Sequence, residues 1–142
     1  SSVTLYHTTH TNFNTKIINI SGKTKEYFML ENIGHDGYQA GLDYMIGGNE
    51  DTSGIAIWHI DENQSGNSDY THKLVDLEEA ADAGLDLGSH NGKQTNLFFS
   101  GNKTEFSNST NPNSKTYAET SSGITINNIS AAGDSMTFDV SF

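Results

Sequence analysis

The sequence predicts an all-β fold: an antiparallel β-sandwich, jelly-roll-like, with at most one short helix near residues 75–83. Three observations predict it. Short stretches alternate apolar and polar residues, the period of a strand with one buried face. Clusters of Gly, Asn, Ser and Thr separate these stretches. Helix-forming runs are scarce, and the chain carries 14 glycines and a single proline, Pro112.

The elements follow in order. Leu5 and Phe13 belong to an early strand, and Thr15 to Ile20 reads as the next. Tyr27 to Leu30 and Gly54 to Asp61 are two more, the second almost wholly apolar up to its last residues. In that strand His59 and Asp61 share a face with Ile55 and Ile57, while Ala56, Trp58 and Ile60 take the other. Trp58, among Ile and Ala, reads as core. Leu74 to Ala83 is the one stretch with helix formers, enough for two turns at most before Gly84 as a C-cap. The polar tract Ser107 to Ser114 reads as a surface loop. Gly123 to Ile129 and Ser135 to Phe142 form a hairpin turned by Ser130 to Asp134, with Met136, Phe138, Val140 and Phe142 on one face of its last strand.

The chain's 142 residues fit one sandwich domain, residues 1–142. It starts at Ser1 without Met, and is read as a fragment of a longer protein. Seven Lys and Arg against 18 Asp and Glu leave a net charge of −11. With no basic cluster, such a chain is unsuited to nucleic acid or anionic lipid. No apolar run approaches the ~20 residues of a membrane span. With no Cys, disulfides, thiolate–zinc sites and Cys nucleophiles are excluded.

Catalytic motifs are missing. There is no HExxH, no G-x-S-x-G, no phosphate-binding loop and no dinucleotide fingerprint. His7 and His10 stand three apart with no Glu between them, and read as solvated histidines on an edge strand. Asp36 and Asp43 read as turn residues.

The polar residues gather after the third long strand. Asp61, Asn63, Ser65 and Asp69 take positions 1, 3, 5 and 9 of a twelve-residue loop with Gly66 at position 6. This is the spacing of an oxygen-ligated calcium loop. His72 at position 12 replaces the bidentate Glu of an EF-hand, and no helix pair flanks the loop. The expected calcium ligands are therefore Asp61, Asn63 and Asp69, completed by Asp76 and Glu79. His59, His72 and Glu78 are expected to form a structural polar cluster beside them. The competing reading is a solvated Asn/Ser/Gly loop next to an acidic segment.

Several motifs together resemble one family. Glu26-Tyr-Phe-Met-Leu-Glu31-Asn32, Gly54 to Glu62, His72 to Ala80, and Thr104 to Ser114 are similar, in this order, to segments of the immune inhibitor A-like secreted bacterial zinc metallopeptidases. The strands from Ile126 to Val140 are similar to that family's C-terminal strands. The resemblance spans roughly residues 15–142 and places this region after the catalytic domain. It implies an extracellular, bacterial protein whose zinc belongs to the catalytic domain, not to this chain. His59, Asp61, His72, Asp76 and Glu79 match polar positions of the family. Gly88 to Gln94 departs from it, having lost the carboxylates of an Asp-rich stretch. The function this implies is an ancillary, non-catalytic domain that packs on the catalytic domain of the same parent chain; the loop spacing adds calcium as its expected stabilising ion. The alternative is an independent module that binds carbohydrate or a cell-surface protein through Tyr38, Tyr44, Tyr70 or Tyr117.

Overall fold

A computed structural model covers the whole chain, and it describes residues 1–7, 14–34, 53–81, 84–88 and 92–142. Phe13, His10, Asp36, Asp43, Tyr38 and Tyr44 lie outside the described residues. The period-two pattern of the C-terminal stretch does what the sequence predicts: in Ser135–Ser141, Met136, Phe138 and Val140 are buried. Seven strands form among the described residues. These are β1 (Ser2–Tyr6), β2 (Thr15–Asn19), β3 (Glu26–Ile33), β4 (Gly54–Asp61), β5 (Val75–Leu77), β6 (Thr125–Asn127) and β7 (Ser135–Ser141).

The strands form two antiparallel sheets, ordered β1-β7-β6 and β2-β3-β4-β5. The fold is the all-β sandwich that the sequence predicts. Between the sheets lies a cluster of buried side chains that includes Leu5, Ile18, Phe28, Leu30, Ile57, Phe98, Phe106, Ile126 and Phe138. Phe106 meets Phe28 and Phe98 edge to face, with centroids 5.2 and 5.9 Å apart. Such pairs hold better than a face-to-face stack because the positive ring edge meets the negative ring face. Asn32, fully buried in β3, ties the layers by donating from Nδ2 to the carbonyls of Leu5 (3.2 Å) and Gly133 (3.1 Å).

The two sheets differ on their outer faces. In the three-stranded sheet this face is mostly polar: Ser2, Thr4, Ser135, Thr137, Asp139 and Ser141 lie there, with Tyr6, 41% exposed, at one end. In the four-stranded sheet the register sets Ile17 opposite Met29, Met29 opposite Trp58, and Trp58 opposite Leu77. Tyr27, Ile60 and Val75 form a second row beside this one. Strand β4 is therefore apolar on both faces, the pattern of a strand covered on both sides.

Four expectations need correction. Val75–Leu77 is strand β5, not helix, because β4 offers an unpaired edge and tertiary pairing outweighs weak local propensity. Residues 82–83, the end of that expected helix, are not described, and Gly84 lies in a turn. His7 is not solvated. It is 2% exposed, and its ring lies where a Cβ on Gly34 would stand, 1.6 Å from Cδ2. Trp58 is half-buried on the outer face, where Nε1 donates to Glu31 Oε2 at 3.3 Å. Phe142 is 81% exposed because pairing ends before it.

Candidate functional site

The inner face of β3 and β4 changes character along its length. Leu30 pairs with Ile57 and Phe28 with His59, and Glu26 then pairs with Asp61. One register step thus carries the sheet from aliphatic core to ionic rim. His59, Asp61 and Glu26 are all buried there, at 3, 4 and 5% exposure. Burial on this scale demands partners, since an unpaired buried charge is far more costly than an exposed one.

His59 is bound at both ring nitrogens. Nε2 lies 3.2 Å from Glu26 Oε1 and Nδ1 lies 3.1 Å from Glu78 Oε1. Both contacts are hydrogen bonds when the ring carries two N–H protons, or when one carboxyl holds the proton instead. Burial pushes the Glu78 carboxyl up, and the His59 bond offsets only part of this. Glu26 also accepts from the backbone N–H of Tyr117 at 2.7 Å and pairs with Lys23 at 3.2 Å.

Tyr117 closes the rim from the loop that precedes β6. Its ring is stacked on His59 at 4.2 Å and on His72 at 4.0 Å, so an imidazole covers each face. His72 Nε2 binds Asp61 Oδ2 at 2.8 Å. Burial alone would raise Asp61, but the backbone N–H of Asn63, the His72 ring and the Asn63 amide together hold its carboxyl below the usual range. Burial and the surrounding carboxylates push the Tyr117 phenol well up, so it stays neutral.

A cavity of about 330 Å³ adjoins this rim, between β5 and residues 111–119. Asp76, Glu78, Asp86 and Glu119 line it together with His59 and Tyr117. Lys73 spans Asp76 (2.6 Å) and Asp86. Burial raises the Asp76 carboxyl despite this bond, and the two carboxylates together hold the Lys73 ammonium above its usual range against its own burial.

The structure brings together His59, His72, Glu78 and Asp61 from the expected polar cluster and loop. Of the five expected calcium ligands, Asp61 and Asn63 bond to each other, and Asp69, Asp76 and Glu79 each bond to other residues. Asp61 Oδ1 accepts from the backbone and side chain of Asn63 at 2.9 and 2.7 Å. Asp69 is exposed and turns onto the N–H and hydroxyl of Thr71 at 2.9 and 2.7 Å. Asp76 holds Lys73. Glu79 faces elsewhere, accepting from the N–H groups of Leu85 (3.0 Å) and Asp86 (3.3 Å) and from Asn96 Nδ2 (3.1 Å). Among the described residues, no three His, Asp or Glu side chains converge as one metal ion would require.

Two members escaped the sequence reading. Glu26 shares the inner face with Phe28 and Leu30, and carrying the period of two back from Phe28 would have found it. Tyr117 was expected as an exposed binding ring, and nothing local to it signals the stack, which depends on contacts across the sandwich. With both ring faces covered, Tyr117 has none to offer a sugar. Tyr70, at 60% exposure, keeps its ring accessible.

Comparison with protein-family models, with curated proteins and with solved structures returns no match for this chain.

Proposed function

We propose that this chain is an ancillary, non-catalytic β domain that docks on a neighbouring folded domain, the zinc-bearing catalytic domain of a secreted peptidase. The observation that carries the reading is the outer face of the β2-β3-β4-β5 sheet. Ile17 and Val75 are 53 and 37% exposed, and Tyr27, Met29, Trp58 and Leu77 are half-buried around them. Contiguous apolar surface of this kind marks interaction sites on soluble proteins. The polar outer face of the other sheet is the internal control. The resemblance of the strand motifs to immune inhibitor A-like peptidases supplies the kind of partner.

In this reading the ionic rim is a brace. Its carboxylates and imidazoles are bonded to one another, fixing the β4–β5 edge against the loop that carries Tyr117. The test is titration of the chain with a catalytic domain of that family, followed by sedimentation and by Trp58 fluorescence. A saturable complex with a blue-shifted Trp58 signal is expected. No association at micromolar concentration would overturn the reading. A glycan array separates it from a carbohydrate-binding module.

Calcium belongs to the proposal as a stabilising ion at the loop after β4, where it would take Asp61, Asn63 and Asp69 from their present partners. A calcium-dependent rise in melting temperature that Asp61→Ala abolishes would support it. Identical unfolding in EDTA and in millimolar calcium would remove it.

A further inference from the structure

The docking face also specifies the chemistry of its partner, an inference that rests on the reading above only in using the same face. Charged groups stand on both sides of the apolar rows. On one side Glu31 accepts from Trp58 Nε1 at 3.3 Å, and on the other Glu62 Oε1 accepts from the Tyr27 hydroxyl at 2.9 Å. Glu31 and Tyr27 lie on the same face of β3, four residues apart. We infer that this face takes a polypeptide surface that is apolar at its centre and carries Lys or Arg on both sides, so that the cations meet Glu31 and Glu62 while aliphatic side chains cover Trp58.

Charge favours this occupant over others. A second copy of the chain would bring −11 against −11, and a two-fold arrangement would set Glu31 and Glu62 against like charges. A bilayer with anionic headgroups would repel the same carboxylates. A basic-flanked partner gains from both features, since apolar cover supplies affinity and opposite charge supplies orientation and rate.

A phage-displayed peptide selection on the folded chain tests this directly. The expected result is enrichment of sequences with an apolar centre between basic residues. Their binding should weaken about tenfold in Ile17→Asp and in Leu77→Asp, fall with added salt and in Glu31→Gln, and persist in Thr137→Asp on the opposite sheet. Ile17 is exposed enough for its variant to fold, and an unchanged unfolding curve checks this. Enrichment of acidic or uncharged sequences, binding that survives the outer-face changes, or no enrichment would each overturn the inference. Peptides that bind as expected while the catalytic domain does not would leave this inference standing and remove the ancillary reading.

Discussion

His59 is the residue on which the ionic rim turns, because it alone links Glu26, Glu78 and the Tyr117 ring. Replacing it by Gln keeps one polar contact and leaves a buried carboxylate without its partner. We expect His59→Gln to cost about 3 kcal/mol in urea unfolding at neutral pH, the range for breaking one side of a buried pair. His72→Gln, at a ring that is one third exposed, should cost well under half as much. Gly34 gives a second residue-scale prediction. A methyl group there would stand within 2 Å of the buried His7 ring, so Gly34→Ala should destabilise by about 2 kcal/mol, readable as a lower urea midpoint with an unchanged slope. Neither effect is visible in the sequence. His7 looks like a solvated edge histidine because its burial comes from a glycine 27 positions later.

At the scale of the element, period-two patterning located β2, β3, β4, β6 and β7, because each presents aliphatic residues to one core. The same rule placed His59 and Asp61 on the inner face of β4, where they are. It failed at β5, whose three residues have no hydrophobic period of their own. Their conformation is set by β4, through Leu74 accepting from Asp61 N–H and Glu78 N–H donating to Ile57. Single-strand patterns also do not disclose Asn32 as the tie between sheets, since its bonds cross to Leu5 and Gly133. Asn32→Leu should therefore destabilise by about 2 kcal/mol, although it raises hydrophobicity, because it takes the donor from the buried Leu5 carbonyl and the part-buried Gly133 carbonyl. Amide hydrogen exchange would register the change at β1 and near Gly133 before β4.

For the whole molecule, pH dependence follows from carboxylates shifted in opposite directions. Asp61 is held below the usual range, so its contribution is present above the ordinary Asp value and fades as pH falls through the lower folded value. Glu78 and Asp76 are raised, so the folded chain keeps their protons longer than the unfolded chain does. Their contribution is full below the ordinary carboxylate values and is lost as pH rises through the raised ones. Stability should therefore peak in mildly acid solution. Glu78→Gln should flatten the decline on the alkaline side of that peak and leave the acid limb unchanged, as read from urea unfolding across pH. The unequal outer faces have a further physical consequence, which concerns adsorption. A slab with one hydroxyl-rich side and one aliphatic side is a surfactant with a built-in orientation. At an air–water boundary it should lie with Trp58 toward the gas phase and Thr137 toward the liquid. On a phenyl resin its retention should grow with ammonium sulfate, fall in Ile17→Asp, and ignore changes along β7.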